Sequence, residues 1–241
     1  MGSRGTCRSD AMTAPEPDCP KLLSLAVHEL RTPVSVATGY LRMLLQFHAQ
    51  ALTDEQRKFV AEAAQSCGRL GDLLADLSTL SRLMAGQSDL KREEVPIFSL
   101  AAEAARSVAD EAPRGVRLEP RGVDQAAVVL GDRAWLQTAI RSLLSAAVRE
   151  HVHPATLVLE CRRFPAGASP RAVIALGEPE AAAALASLPP SRWRPFDLWR
   201  GGVGFSLAIA AEVVAAHHGR MGSAEGGLRK AVFAVALPLR P

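Results

Sequence analysis

Residues 22–45 read LLSLAVHELRTPVSVATGYLRMLL, and the fold of the first third of the chain turns on them. Leu23, Val27, Leu30, Val34, Ala37, Leu41 and Leu44 are spaced alternately by four and three, the heptad of a helix with one packed seam. A second series runs through Val60, Ala63, Cys67, Leu70, Leu74 and Leu77, breaks at Ser81 and returns at Met84. Between them, Thr53-Asp54-Glu55-Gln56 has the spacing of a capping box, which restarts the chain as a helix. The pattern predicts two helices of roughly thirty residues joined by a short turn as an antiparallel hairpin. Two helices alone cannot bury both apolar stripes, so a second copy is expected to complete a dimeric four-helix bundle.

Within this helix, residues 28 to 33 read His-Glu-Leu-Arg-Thr-Pro. His28 follows the seam position Val27, so it is expected at the edge of the packed face, toward water. Thr32 lies one turn further along the same face. Pro33 removes a helical hydrogen bond and crowds the carbonyl of Glu29, so the helix is expected to bend beside the histidine. A neutral imidazole is a fair nucleophile near neutral pH. An adjacent carboxylate can hold one ring N–H and leave the other nitrogen more nucleophilic. A hydroxyl one turn away could place water against a phosphorylated ring. The string is not the zinc-protease motif HExxH, because position 32 is Thr. An exposed His-Glu pair on a helix is by itself usually plain solvated surface; the whole string inside a long amphipathic hairpin is not.

Composition narrows the alternatives. The 241 residues are 48% apolar, enough for a sizeable core, and only 5% aromatic. The formal charge of +3 is small, with acids and bases interleaved, which gives no support to nucleic-acid binding. Cys7, Cys19, Cys67 and Cys161 form no CxxC pair, so neither a zinc site nor a disulfide scaffold is indicated, and a reducing cytoplasm is expected. No metal ligand set stands out. No apolar run is long enough to span a membrane. Residues 1–19, rich in Gly, Ser, Pro and charge, read as a disordered leader or an appended remnant.

From about residue 91 the pattern changes. Short β-like runs (Val116–Leu118, Ala127–Leu130, Thr156–Glu160, Ala172–Leu176, Ala231–Leu237) alternate with helical stretches (Leu100–Asp110, Arg133–Glu150, Phe205–His217). This predicts an α/β sandwich over 91–241, a mixed sheet covered by helices on one face. His217 and His218, before Gly219, read as polar residues suited to a helix C-terminus. Trp193, Phe196 and Trp199 read as packing residues.

Two family resemblances rest on these segments. LLSLAVHELRTPVSVATGYLRMLL resembles the H-box of the HisKA-type dimerisation and phosphotransfer domain of two-component histidine kinases, over residues 20–90. The resemblance implies that His28 receives a phosphoryl group and passes it to an aspartate of a response-regulator receiver domain. It implies too that Glu29 assists the transfer and that Thr32 supports dephosphorylation of the regulator. Residues 91–241 are similar to the ATP-binding, GHKL-type domain of the same family. VLGDRAWLQTAIRSLLSAAVREH resembles its strand and N-box helix, and RPFDLWRGGVGFSLAIAAEVVAAHHGRM its F-box, second glycine box and following helix.

The departures fall where nucleotide chemistry needs particular atoms. The two N-box asparagines of the family correspond to Ser142 and Ala146, and alanine offers no oxygen to Mg²⁺. Arg149 keeps a positive charge that the family often turns to the phosphates. In the first glycine box Ala175 stands for the adenine-reading aspartate, Gly177 for the first glycine and Pro179 for the second. The second glycine box retains Gly202 and Gly204 before a helix, with Ser206 at the third position. The alanine-rich stretch Ala181–Ala186 falls where the family has its nucleotide lid. Each lost ligand should cost on the order of 1–3 kcal/mol of binding. Use of ATP and Mg²⁺ is therefore expected to be weak or lost, with His28 served by a phosphorylated partner. The alternatives are an active autokinase with a divergent pocket and a non-catalytic scaffold that binds a receiver or a sister kinase.

Overall fold

The computed structural model describes residues 19–87, 89–111, 115–150, 154–165, 170–198, 204–223 and 233–240. The leader expected over residues 1–19 lies outside these but for Cys19, which opens the first helix. Helix α1 (Cys19–Phe47) runs unbroken through Pro33, and α2 (Asp54–Met84) returns antiparallel to it. The capping box is formed in both directions. The Gln56 N–H donates to Thr53 Oγ1 at 3.2 Å, and the Thr53 N–H donates to Gln56 Oε1 at 2.9 Å. At its other end α2 closes in a Schellman motif. The Gln87 N–H reaches the Arg82 carbonyl, the Gly86 N–H reaches Leu83, and Gly86 supplies the left-handed φ of +64°.

The seam inside the hairpin is narrower than the heptads suggest. Val27 and Leu74 are buried, and Leu23, Val34, Ala37, Leu41, Val60 and Cys67 are half-buried. Leu30, Ala63 and Leu70, expected in the same seam, are exposed. One helix partner covers only one stripe, so the flank of each heptad is left outside. Ser81 does not break the pattern either. It is buried, and its hydroxyl donates to the Pro20 carbonyl at 2.8 Å, pinning the start of α1 to the end of α2. The hydroxyl is satisfied there, which is why a polar residue fits a seam position.

Beyond the hairpin the chain forms an α/β domain. Strands β2 (Val116–Arg121), β4 (Ala155–Phe164), β5 (Arg171–Gly177), β7 (Phe233–Pro238) and β6 (Arg220–Ser223) make one sheet in the order β2-β4-β5-β7-β6. The β2–β4 pair is parallel and the other pairs are antiparallel. A separate two-stranded ribbon pairs β1 (Glu93–Pro96), which is not among the runs expected from the sequence, with β3 (Val128–Gly131). Helices α3 (Ile97–Glu111), α4 (Arg133–Glu150) and α6 (Ser206–Ala216) cover one face, burying Phe98, Leu143, Leu144, Leu207 and Val213 against Leu157, Leu159, Ile174 and Val235.

The other face is covered too, which the sequence did not predict. Helix α5 (Pro179–Ser187) and Trp193 form a second core with Val173, Ala175, Ala234 and Ala236. Leu185 and Ala186 are fully buried there. The chain then turns round the β6 edge, where Arg194 bridges Ser223, and Phe196 packs edge-on to Phe233 in the first core. Gly222 makes room for this, since a Cβ there would lie 2.5 Å from Trp193 Cβ.

His217 also departs from its reading as a polar helix end. It is buried, its Nδ1 donates to the Val213 carbonyl at 2.7 Å, and its Nε2 accepts the Asp132 N–H at 2.9 Å. Gly131 is required beside it, because a Cβ there would strike the His217 ring. The Asp132 carboxylate in turn caps α4 through the N–H groups of Ala134 (3.0 Å) and Trp135 (3.2 Å), and takes the Lys91 N–H at 3.2 Å. Asp132→Ala removes an N-cap and leaves three part-buried backbone donors without their acceptor. It should cost about 2 kcal/mol in chemical denaturation, at the high end for a lost cap. No helix among the described residues is long and apolar enough to cross a membrane.

Candidate functional site

His28 stands on α1 directly after the buried Val27, and its side chain is 78% exposed. Its Nδ1 lies 3.2 Å from Glu29 Oε1, the pairing expected of a carboxylate that holds the Nδ1 proton. In that tautomer Nε2 keeps its lone pair, and it has no partner among the described residues. Thr32 is exposed on the same side of the helix, one turn on. The three residues are thus together and open to a large partner.

The α/β domain rests against this hairpin. Leu80 packs on its core, Leu83 is buried in it, and Leu73 lies 3.1 Å from where a Cβ of Gly204 would be. Gly204 has φ +64° and precedes α6 directly. Its height along the hairpin follows from the Ser81–Pro20 hydrogen bond. His28 is eight residues beyond Pro20 and Leu73 eight before Ser81, so each is about 12 Å from that tie at 1.5 Å per residue. The glycine turn therefore abuts the hairpin at the level of His28. Helix α6 is apolar on nearly every side, as a helix packed between α4 and α2 must be.

Asp76 falls on the same stripe of α2 as Leu73, Leu80 and Leu83. Burial, and then the neighbouring Asp72 carboxylate, push its carboxyl above the ordinary value. The folded state thus holds this proton more tightly than the unfolded chain. The resulting penalty is complete above the folded pKa and gone below the unfolded one, near about 4. Asp76→Asn should therefore raise the melting temperature slightly at pH 7, and the gain should vanish as the pH falls toward about 4.

The sheet separates Ala175 from Ala146 among the residues matched to the nucleotide boxes. Ser142, Ala146 and Arg149 share one stripe of α4, half-buried, buried and exposed in turn. Ala146 joins the core between helices and sheet. Ala175 points to the opposite face of the sheet, into the cluster with Leu185, Ala186 and Trp193. Successive residues of a strand face opposite ways, so Leu176, not Ala175, looks toward α4 and α6. Leu176 has no carboxylate either. Gly177 is buried at the end of β5. Ala181–Ala186, matched to the lid, is part of α5 on that far face. Gly202 and Trp199 lie outside the described residues. Of these positions Ser142 keeps a hydroxyl oxygen, while Ala146, Ala175 and Leu176 offer no side-chain oxygen to adenine or to Mg²⁺.

Other nucleophiles compete poorly with His28. Cys161 is buried, and burial followed by the Glu160 charge pushes its thiol up to about 12. Cys67 is a half-buried free cysteine. Among the described residues no three His, Cys, Asp or Glu side chains group as a metal site.

Comparison with known proteins bears on the hairpin first. The His Kinase A (phospho-acceptor) domain family matches residues 21–86. The chain is 31% identical over 213 residues to the sensor protein SphS of Synechococcus elongatus, covering 83% of this chain and 49% of that protein. It is 32% identical to the probable sensor histidine kinase TcrY of Mycobacterium tuberculosis, covering 89% of this chain and 44% of that one. It is 30% identical to the sensor histidine kinase TrcS of the same organism, covering 89% and 42%. The chain thus spans less than half the length of these relatives. Among solved structures, full-length ShkA in complex with AMPPNP superposes with a TM-score of 0.67 at 23% identity, over 91% of this chain and 46% of that one. The Acinetobacter baumannii histidine kinase AdeS gives 0.54 at 17%, over 89% and 98%. At these identities the two structures speak for the fold alone. The hairpin at residues 21–86 is therefore a His Kinase A (phospho-acceptor) domain, and with the α/β domain that follows the chain has the two-domain architecture of a two-component sensor histidine kinase core.

Proposed function

We propose that this chain is a phosphorelay protein in which His28 carries a phosphoryl group and exchanges it with a receiver-domain aspartate of a response regulator. ATP is bound weakly or not at all. The observation that carries this reading is the His28–Glu29 pair, a ring nitrogen at 3.2 Å from a carboxylate on an open helix face. With the Nδ1 proton held by Glu29, the Nε2 lone pair attacks the phosphorus of the receiver's aspartyl phosphate. The N–P bond forms as the acyl-phosphate O–P bond breaks, and the receiver's carboxylate leaves. Against the phosphorylated ring the Thr32 hydroxyl would hold a water, whose oxygen bonds to phosphorus as the N–P bond breaks and inorganic phosphate leaves.

The working unit is a homodimer through the hairpin. Leu22, Leu30, Tyr40, Phe47, Phe59 and Leu70 are all exposed, Phe47 by 76%, and a second copy would cover such a surface. The donor set described above supports the loss of ATP, since Ala146 and Leu176 cannot replace an amide and a carboxylate.

Incubation with a labelled, phosphorylated receiver domain should move acid-labile label onto the wild type and not onto His28→Ala. Failure of that transfer would sink the relay. An active autokinase is the second reading, favoured by the glycine turn that abuts the hairpin at the height of His28. Labelled ATP with Mg²⁺ discriminates, because label on His28 from ATP alone would replace the first reading by the second. If neither donor labels His28, the chain is a scaffold.

A further inference from the structure

Phosphoryl exchange at His28, as described above, leaves the cation beside it on α1 without a role. Arg31 follows His28 by three residues and is exposed. At about 100° per residue it stands about 60° round the helix from the histidine. Glu29 is about 160° away from it, so the carboxylate and the guanidinium flank His28 on opposite sides. The Cβ atoms of residues three apart lie about 5–6 Å from each other, and long helical side chains lean toward the N-terminus. From that position a guanidinium reaches the space in front of the His28 ring.

This charge is uncommitted. Among the described residues no ion pair or side-chain hydrogen bond holds Arg31, and neither Asp72 nor Asp76 of α2 is paired with it. Helix α1 has no carboxylate to spare, because Glu29 is its only one and lies 3.2 Å from His28 Nδ1. A phosphoryl group on Nε2 adds a dianion to a ring that already adjoins that carboxylate. In transfer its negative charge is spread over three equatorial oxygens, and a cation already in place stabilises that charge. An arginine fork can pair two such oxygens at once.

We propose that Arg31 is a catalytic residue of the exchange, whose guanidinium grips the phosphoryl oxygens as Nε2 of His28 bonds to phosphorus. Glu29 holds the Nδ1 proton on one side of the ring, and Arg31 holds the incoming group on the other. After transfer the same grip offsets the repulsion between the phosphoryl group and the Glu29 carboxylate. The proposal rests on the reading of His28 as the phosphoryl acceptor.

Two measurements on the intact chain test it. The first is the rate at which a saturating, phosphorylated receiver domain labels His28. Arg31→Gln should slow it about tenfold, less than loss of a donor in an enclosed site because this face is open to water. Arg31→Lys, which keeps the charge but not the fork, should fall between. Arg42→Gln, about 16 Å further along α1, should leave the saturated rate unchanged. The second needs no receiver. Phosphoramidate phosphorylates an exposed imidazole with loss of ammonia, and His28→Ala identifies the phosphorus NMR signal of His28. A cation beside the phosphoryl group favours its dianion, so its titration midpoint should lie about 0.5 pH unit lower in wild type than in Arg31→Gln. Equal midpoints overturn the proposal, and so do equal saturated rates. A wild type that takes no label from the receiver fails the relay reading, and the midpoints alone then decide whether Arg31 holds the phosphoryl group.

Discussion

Replacing His28 by alanine should abolish acid-labile phosphoryl incorporation from any donor while leaving the fold and the oligomer intact. The two halves of this expectation have separate physical grounds. The side chain is 78% exposed and its one described polar contact is to the equally open Glu29, so removal should change stability by no more than about 0.5 kcal/mol. The chemistry, by contrast, has no substitute nearby, since Cys161 is buried and Glu29 is held for the ring proton. Glu29→Gln keeps the shape but weakens the hold on Nδ1–H, and should slow transfer by about 10²-fold, the low end for a lost acid–base group. Thr32→Ala should leave the gain of label untouched and slow its loss. Label retained by His28→Ala would place the acceptor elsewhere, and coincident circular dichroism and sedimentation of wild type and variant would confirm that only chemistry was lost.

Leu185→Ala should destabilise the α/β domain by about 3 kcal/mol, with or without nucleotide. Leu185 is fully buried between α5 and the outer face of the sheet, alongside Val173, Ala175 and Trp193. Deleting a buried leucine to its Cβ costs about 2–5 kcal/mol, through lost transfer energy and the cavity left behind. A residue in a mobile lid would instead be worth close to nothing in the absence of ligand. Chemical denaturation thus separates a structural cover from a nucleotide lid in one measurement. A loss below about 1 kcal/mol would show that α5 does not pack as described. The same packing explains why the stretch is so rich in alanine. Ala182 and Ala186 are fully buried, and small side chains let the helix lie close on a sheet face that itself carries Ala175, Ala234 and Ala236.

Much of the architecture was legible because it depends on local patterns. The capping box at Thr53 is set by residues within one turn of each other, and it forms. The apolar runs of β4, β5 and β7 and the helices α3, α4 and α6 were visible for the same reason. What escaped were elements whose reason for existing lies elsewhere in the chain. Strand β1 carries only one buried side chain, Val95, and exists because β3 pairs with it. Helix α5 carries so many alanines that its sequence has little amphipathic signal, and its burial depends on the far face of β5 and β7. His217 resembled a solvated helix end because nothing local announces that Gly131 and the Asp132 N–H would meet its ring.

The residues around His28 illustrate the division. The sequence by itself determined that a histidine followed by a carboxylate and, one turn on, a hydroxyl would sit on an exposed stripe of a helical hairpin, because helical spacing alone places them. It also determined that alanine stands at an N-box position, since no fold adds an oxygen to a methyl group. Only the tertiary structure decided that Ala175 and the α5 segment belong to the back of the sheet, because strand alternation fixes a side once a neighbouring strand sets the pleat. Only the tertiary structure brought the Gly204 turn against Leu73, at the height of His28. That juxtaposition joins residues over a hundred positions apart, and it follows from the packing of α6 against α2 rather than from any pattern along the chain.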